Sequence, residues 1–237
     1  MILIAALLLQ AASPGAFVHE DESEHLHFHY GWPAAAEAVP ALRAELRARM
    51  AAARARAMEM AAEGRNMAAG EGWEMPAHSH EQDWSLNGST ARLTSLSAGV
   101  ATYTGGAHGN LAYEALLWDR ADDRPVEAAA LLGAGLTAMK ERYCRDLDRQ
   151  REEKRGEPVR RDPEDPHTAC PALEAGVLTP ADSDGDGRFD RLDVLIPPYA
   201  AGPYVEGDYV VEIPFEPADL AAIPDGYRPA FEVPGER

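Results

Sequence analysis

The spacing of apolar residues predicts two long helices. From about residue 34 to 63 the chain has no interior glycine, and apolar side chains recur at steps of three and four. A second helical region covers residues 126–155. The expected inner face of this second region consists of Leu131, Leu136, Met139, Tyr143 and Leu147. Each region is long enough to cover one face of a sheet.

Strand patterns occupy much of the remaining chain. Residues 25–30 alternate histidine with Leu, Phe and Tyr at period two. Further strands are predicted at 84–86, 91–103, 111–118, 194–196 and 209–213. Asn87 and Gly88 are typical of a tight turn between the first two of these. Because this order is not the alternation of a doubly wound sheet, we expect an α+β fold in which an antiparallel sheet packs against two long helices.

The beginning of the chain differs from the rest. Residues 2–9 are apolar and small residues follow, so residues 1–16 are typical of a secretory signal, although a charged n-region is missing. Residues 17–24 are acidic, and we expect a mobile leader without packing. Residues 25–237 are expected to form one envelope domain, in which a division near residue 120 stays open. No later run approaches the roughly 20 apolar residues of a membrane-spanning helix.

Charge and cysteine content narrow the function. The 237 residues carry 22 Lys+Arg and 40 Asp+Glu, a formal net charge of −18 that disfavours nucleic acid and anionic membranes as partners. Two cysteines, Cys144 and Cys170, follow the export-like segment. We expect them to form a disulfide in an oxidising compartment, with two buried free thiols as the alternative. The expected location is therefore periplasmic or secreted.

Residues 182–193 have the spacing of a calcium-binding loop. Oxygen ligands at positions 1, 3 and 5, a glycine at 6, a carbonyl at 7 and a carboxylate at 12 are what wraps Ca²⁺. The expected ligand residues are Asp182, Asp184, Asp186, Arg188, Asp190 and Asp193. Because the flanking segments look extended, we expect the loop to join two strands and to act as a structural staple. The alternative is an acidic turn that holds no ion.

Histidines and arginines form two weaker patterns. His25, His27 and His29 would share one side of a strand and would bind a metal only with a further ligand such as His78 or His80. The plainer interpretation is a solvated strand face. On the first helix the basic residues are Arg43, Arg47, Arg49, Arg54 and Arg56. This stripe could pair with acidic loops of the same fold or with a partner.

The segment 103–110 is a glycine-rich turn that presents His108. Glycines permit positive φ and close backbone approach, which suits ligand contact as well as a plain connection. No Lys-Ser/Thr pair follows, so the turn does not fit a phosphate loop. The Gly-x-Ser-x-Gly and His-Glu-x-x-His templates are absent from the sequence. His108 is therefore the one weak candidate for an acid or base.

Three segments together resemble a bacterial envelope family. They are Tyr-Thr-Gly-Gly-Ala-His-Gly-Asn at 103–110, the Pro-Tyr-x-x-Gly-Pro-Tyr-x-x-Gly pattern within 196–207, and Val-Glu-Ile-Pro-Phe at 211–215. The family is the extracytoplasmic domain of RsiV-like anti-sigma factors, which sense lysozyme, and the related non-catalytic region of some peptidoglycan deacetylases. The resemblance spans about 26–231 and implies an α+β domain whose best understood relatives bind a protein. The sequence shows no anti-sigma segment and no deacetylase motif, so neither activity is carried over.

These patterns favour an exported, calcium-stapled, non-catalytic binding module of the cell envelope. Its expected partner is an envelope protein or a peptidoglycan fragment, recognised as a protein or as a cell-wall glycan. The expected binding residues are Tyr103, Gly105, Gly106, His108, Asn110, Tyr199 and Tyr204. Two alternatives stay open. One is a peptidoglycan-modifying hydrolase or deacetylase-like enzyme, and the other is a structural or regulatory protein that acts through its arginine-rich helix.

Overall fold

The computed structural model describes residues 15–235, which form two β-sheets and two long helices. The large sheet has the strand order β1 (Phe17–Glu22), β2 (Leu26–Trp32), β3 (His78–Ser89), β4 (Leu93–Tyr103), β5 (Asn110–Asp119) and β6 (Arg124–Val126). The small sheet contains β7 (Val177–Ala181), β8 (Arg191–Ile196) and β9 (Tyr209–Pro214). The helices are α1 (Ala34–Glu37), α2 (Pro40–Glu71), α3 (Ala128–Leu132), α4 (Gly135–Arg155) and α5 (Pro217–Leu220). Neighbouring strands are antiparallel except β2 and β3, which are parallel because α2 crosses over between them.

The first long helix, α2, is longer than the apolar pattern predicts. It begins with a proline, whose fixed φ suits the first helical position, and ends at Gly72 in the left-handed conformation. It continues through Gly64, where the prediction stopped because glycine is a poor helix former. A Cβ at Gly64 would lie 3.0 Å from Nε2 of His78. The glycine therefore serves close packing of α2 on β3, and this packing outweighs its low helix propensity.

Two cores place the sheets between the long helices. In the first core, Leu42 and Leu46 of α2 pack on one face of the large sheet. That face carries the aromatic and aliphatic side chains of Phe28, Tyr30, Trp84, Leu96, Leu116 and Trp118. In the second core, Met139 and Tyr143 of α4 pack with the small sheet, and Leu117 on the other face of the large sheet joins them. The layers are therefore α2, large sheet, small sheet and α4.

The α+β fold class is confirmed by this arrangement. The two long helices lie against different sheets, however, whereas we expected a single sheet to pack against both. The reason is that β7–β9 form a separate sheet, which covers the face of the large sheet that α2 leaves open. The side chains of Ser95 and Thr179 join the two sheets through a 3.0 Å hydrogen bond between their hydroxyls.

The acidic segment after the signal-like residues is an edge strand and not an unpacked leader. Residues 17–22 form β1 and pair antiparallel with β2. The Phe17 ring stacks on Trp32 with centroids 3.9 Å apart. Asp21 forms an ion pair with Arg54 of α2. The positive charge of Arg54 offsets part of the negative charge of the strand. The prediction of a mobile leader was wrong because the acidic composition of the segment does not reveal its contacts with Trp32 and Arg54, which lie later in the chain.

The signal-like segment falls almost wholly outside the described residues. Of residues 1–16, only Gly15 and Ala16 are described, and they lead directly into β1. Within residues 15–235 no helix combines the length and the apolar character that a membrane crossing requires.

Asn87 and Gly88 lie inside β3 and do not form the turn that the sequence predicts. The chain reverses at Thr90, whose amide donates to the Leu93 carbonyl at 2.8 Å, and β3 is bulged between Leu86 and Gly88. The Asn87 amide nitrogen donates to the hydroxyl of Thr179 in β7 at 2.8 Å. Asn87 therefore joins the two sheets, and this long-range bond decides its conformation.

Candidate ligand-binding surface

The glycine-rich turn between β4 and β5 meets the segment that follows β8. The His108 ring stacks on Tyr204 with centroids 4.1 Å apart, and the Tyr199 ring lies 5.3 Å from Tyr204. The Tyr204 hydroxyl donates to the Gly109 carbonyl at 2.8 Å, and Nδ1 of His108 donates to the same oxygen at 2.8 Å. Three of the seven predicted binding residues are thus together, and we call His108, Tyr199 and Tyr204 the aromatic cluster.

Tyr199 is an exposed ring of the aromatic cluster. It is 59% exposed, and its backbone adopts φ of 71°, a left-handed conformation that is rare for a bulky residue. Such a backbone costs on the order of 1–3 kcal/mol and persists only where the surrounding structure holds it. Val205, which follows Tyr204 in the chain, is 91% exposed. The segment therefore presents an aromatic and an aliphatic side chain to solvent at a cost in stability.

The last two turns of α4 hold this segment in place. Arg151 is fully buried, and its guanidinium donates to the carbonyls of Ala201 at 2.8 Å and of Ala169 at 2.9 Å. Arg155 forms a 2.8 Å ion pair with Glu206. Sequence reasoning missed Arg151, although it lies four residues after Leu147 on the predicted inner face of the helix. An arginine on the buried face of a helix indicates that hydrogen-bond acceptors lie in the protein interior beside it.

The Glu206 carboxylate accepts the hydrogen bonds that hold this segment. Burial favours a higher pKa for Glu206, but hydrogen bonds from Arg155 and from the Tyr209 hydroxyl outweigh it and lower the pKa. A Cβ at Gly202 would lie 2.2 Å from Oε2 of Glu206, so a larger residue there would displace the Glu206 carboxylate from its partners. The segment is therefore a built structure and not a loose loop.

The disulfide between Cys144 and Cys170 is confirmed, and it supports the same region. Cys144 lies in α4, and its Cα is 5.5 Å from that of Cys170. The bond and the Arg151 guanidinium together attach residues 168–170 to the helix that positions the aromatic cluster. A disulfide is compatible with an extracytoplasmic domain.

An open groove adjoins the segment that carries Tyr204. Its volume is about 690 Å³. Both signs of charge line it, and the lining residues include Lys154, Arg155, Glu157, Asp165, His167, Pro203 and Val205. The groove offers hydrogen-bond donors and acceptors beside exposed apolar side chains.

The other predicted binding residues serve the turn or a different cavity. Gly105 adopts φ of 83°, and a Cβ there would lie 2.4 Å from Sδ of Met75. Gly106 and Asn110 are exposed, whereas Tyr103 lines a cavity under α2. His108, the weak candidate for catalysis, forms no ion pair with any carboxylate among residues 15–235.

The acidic loop joins β7 to β8, as predicted, and three of its carboxylates converge. One oxygen each from Asp182, Asp184 and Asp186 lies within 4.8 Å of the others. The Gly185 and Gly187 amides donate to the two oxygens of Asp182 at 2.8 and 3.0 Å. Within residues 15–235 this is the one group of three side chains that could hold a metal ion.

The remaining expected ligands have other partners in the structure. Asp190 accepts hydrogen bonds from the amide and the hydroxyl of Ser183. Asp193 lies in β8 in a 2.9 Å ion pair with Arg191, and burial raises its pKa to about 6. The Arg188 guanidinium forms a 2.8 Å ion pair with Glu232, while its carbonyl belongs to the loop. Three of the six residues therefore lie in one cluster.

The histidines of β2 contact carboxylates. Nε2 of His29 lies 3.0 Å from Asp83, and Nδ1 lies 3.4 Å from Glu20. Burial alone would lower the pKa of His29, but these two carboxylates outweigh it and the pKa is raised. His27 lies 3.7 Å from Glu22. A solvated strand face with acidic partners describes these residues better than a metal site.

The arginine stripe of α2 is largely paired within the fold. Arg43 and Arg47 pair with Glu37, Arg49 pairs with Glu45, and Arg54 pairs with Asp21. Of the two interpretations left open by the sequence, pairing within the same chain accounts for four of the five residues.

Comparison with known proteins agrees with an α+β domain. Residues 19–111 match the family model of the deacetylase PdaC, and this match includes most of β1, the strands β2 to β4, α2 and His108. No curated protein matches the chain. The crystal structure of a DUF3298-family member from Bacteroides fragilis is similar with a TM-score of 0.51 and 16% identity, over 90% of this chain and 94% of that one.

A second DUF3298-family structure, from Pseudomonas aeruginosa, has a TM-score of 0.46 and 16% identity, over 88% of this chain and 91% of that one. At 16% identity the Bacteroides structure shows that the fold is shared and gives no information about what the present chain binds. Residues 19–111 are therefore similar to the PdaC family model, and the chain has the fold of the Bacteroides DUF3298-family structure.

Proposed function

We propose that this protein is an exported, non-catalytic binding module of the cell envelope, and that the aromatic cluster with its adjoining groove recognises a cell-wall glycan. The observation that carries the proposal is the cluster itself, in which Tyr199 is held outward on an unfavourable backbone conformation. Strain of this kind concentrates at ligand contacts. The match to the model of a deacetylase, PdaC, supports a relation to the envelope.

A glycan fits the chemistry of the surface. Sugar rings present C–H faces, which pack on the electron-rich faces of aromatic rings such as Tyr199. Their hydroxyl groups both donate and accept, so they suit a groove that is lined by charged side chains of both signs. An open groove of about 690 Å³ suits an extended chain of sugars better than a small closed ligand.

The acidic loop is proposed to hold calcium as a structural staple. Asp182, Asp184 and Asp186 supply hard oxygen ligands, and their convergence within 4.8 Å supports this part of the proposal. A bound cation would neutralise their mutual repulsion. Asp190 and Asp193, which we also expected as ligands, serve hydrogen bonding and ion pairing in this arrangement.

Co-sedimentation with insoluble peptidoglycan tests the glycan proposal. We expect the purified protein to sediment with it and Tyr199→Asn to remain in solution. Met67→Asn is the matched control, because Met67 is exposed to the same 59% as Tyr199 but lies on α2. Equal sedimentation of the wild type and Tyr199→Asn would overturn the proposal.

Two further readouts separate the alternatives. Capture of an envelope protein by the wild type, without any retention on peptidoglycan, would point to a protein partner. Release of sugar or acetate from peptidoglycan that is lost in His108→Ala would point to an enzyme. Charge reversal of Arg47 and Arg49 tests the arginine-rich helix as a partner surface, and we expect no change in retention.

A further inference from the structure

A cavity lies between α2 and the inner face of the large sheet. Its volume is about 190 Å³, and its rim includes the exposed side chains of Arg56 and Met60. At this level the α2 residues that face the sheet are Ala53 and Ala57. Cores are normally packed to high density by large apolar side chains. Here small helix residues oppose polar sheet residues, and the space between them stays open.

His78 is a buried polar residue in the wall of this cavity. It is 5% exposed, and neither ring nitrogen has a hydrogen-bond partner among residues 15–235. Burial and the nearby Arg65 lower its pKa, so the ring is neutral and offers one donor and one acceptor. A buried polar group without a hydrogen-bond partner destabilises the folded protein. A molecule in the cavity that both donates and accepts would remove this destabilisation.

A hydrogen-bonded chain beside His78 fixes further acceptors. The Gln82 amide nitrogen donates to Glu114 at 3.2 Å, so the Gln82 oxygen faces Nε2 of His80, also at 3.2 Å. That oxygen only accepts, and Nε2 of His80 therefore carries the proton. Burial lowers the pKa of His80 and keeps its ring neutral. Nδ1 of His80 and the Glu114 carboxylate are then both acceptors in the cavity wall.

The charges around the cavity disfavour an ionic ligand. The positive charges of Arg56 and Arg65 lower the pKa of His80 and of His78, respectively. The same charges repel a cationic ligand. The Glu114 carboxylate opposes an anion. The best match is a neutral molecule with several hydroxyl groups, because hydroxyls supply donors to His80 and Glu114 and both kinds of bond to His78.

We propose that this cavity binds one neutral, polyhydroxylated ring of monosaccharide size. An engineered cavity of about 150 Å³ holds benzene, so about 190 Å³ admits a single ring. The apolar side of the cavity, with Leu26, Ala57 and Val100, covers the C–H face of the ring. This site is separate from the aromatic cluster and does not rest on the function proposed for it.

Saturation-transfer NMR on the full chain tests the proposal, with glucose and N-acetylglucosamine as probes and with alanine and acetate as charged comparisons. We expect transfer to at least one sugar and shifts of the ring nitrogens of His78 and His80 on its addition. Ala57→Leu, which fills the cavity without removing a polar group, should abolish the ring-nitrogen shifts. In a Tyr199→Asn background, in which the aromatic cluster no longer binds sugar, it should abolish the transfer as well. Gln82→Met removes the acceptor that holds the proton of His80 on Nε2, and we expect it to weaken binding about tenfold.

Controls keep the outcome decisive. Met67→Ala, on the exposed face of α2, should bind as the wild type does, and thermal melts establish that each variant is folded. Should Ala57→Leu not fold, Gln82→Met and the ring-nitrogen shifts decide. No transfer to either sugar would show that the cavity holds water alone and would overturn the proposal. Stronger transfer to alanine or acetate, or ring-nitrogen shifts of His78 and His80 that survive Ala57→Leu, would overturn it equally.

Discussion

The hydroxyl of Tyr204 donates a 2.8 Å hydrogen bond to the carbonyl of Gly109 and so connects segments that are 95 residues apart. One segment is the turn between β4 and β5 of the large sheet, and the other follows β8 of the small sheet. The same carbonyl accepts from Nδ1 of His108, whose ring stacks on Tyr204. The aromatic cluster is therefore a junction between the two sheets.

Removing the Tyr204 hydroxyl tests this junction. Tyr204→Phe keeps the ring stack and loses the hydrogen bond, so the free energy of unfolding should fall by about 1 kcal/mol. Amide exchange in the turn around His108 should become faster. Urea denaturation and hydrogen exchange measure the two effects. Tyr199→Phe is the control and should leave both unchanged, because the Tyr199 hydroxyl forms no hydrogen bond within the described part of the chain.

Arg151 is expected to be the most sensitive residue of α4. Arg151→Met would leave the carbonyls of Thr168, Ala169 and Ala201 without their donor inside the protein. Removing one side of a buried charged network costs about 3–5 kcal/mol, and we expect a loss of this size in urea denaturation. Arg151→Lys should recover only part of it, because an ammonium lacks the planar fork. A loss below about 1 kcal/mol in Arg151→Met would contradict the positioning role.

Acid should destabilise the protein through Asp119. Burial favours a higher pKa, but hydrogen bonds from Arg92, Tyr227 and two backbone amides outweigh it and lower the pKa of Asp119 to about 2. Because the folded state holds the proton more weakly than the unfolded state, the stabilisation is complete above about pH 4. It is lost as the pH falls through about 2, and it amounts to about 2 kcal/mol.

Denaturation curves between pH 7 and pH 2 measure this loss. Asp119→Asn should be less stable than the wild type at neutral pH and should lose less of its remaining stability on acidification. An equal acid-induced loss in both proteins would assign the pH dependence to other carboxylates.

Calcium should raise the melting temperature if the acidic loop is a staple, since a ligand that binds only the folded state stabilises it. The double substitution Asp184→Asn and Asp186→Asn should abolish the shift. Asp190→Asn is the matched control: it weakens the bonds to Ser183 and lowers stability, but a calcium shift should remain. Identical melts in calcium and in chelator would reduce the loop to an acidic turn.

Local patterns of the sequence predict the elements well, and distant contacts account for the errors. The spacing of apolar residues predicts α2 and α4 without reference to the rest of the chain. The pair of cysteines likewise predicts the disulfide. The conformation of Asn87 depends on Thr179, 92 residues away, and so a dipeptide rule could not place it. The strand at residues 17–22 likewise needs Arg54 and Trp32 from elsewhere in the chain.

The candidate sites were predictable in part for the same reason. His108 and Tyr204 were both singled out, but their contact depends on how the small sheet packs on the large one. The spacing of the acidic loop indicated six ligand residues, whereas β8 begins at Arg191 and takes Asp193 into the sheet. The cavity beside His78 was not predicted at all. It exists because Ala53 and Ala57 lie opposite polar strand residues, a relation between elements that the periodicity of either one does not contain.

The measurement that tests the central claim most directly is an NMR titration of the protein with soluble peptidoglycan fragments. We expect the largest amide shifts at residues 105–109 and 199–206. In Tyr199→Asn these shifts should disappear, while the free energy of unfolding stays the same or rises by about 1 kcal/mol because asparagine tolerates the left-handed backbone. Absence of shifts in the wild type, or shifts of the same size in Tyr199→Asn, would contradict glycan recognition by the aromatic cluster.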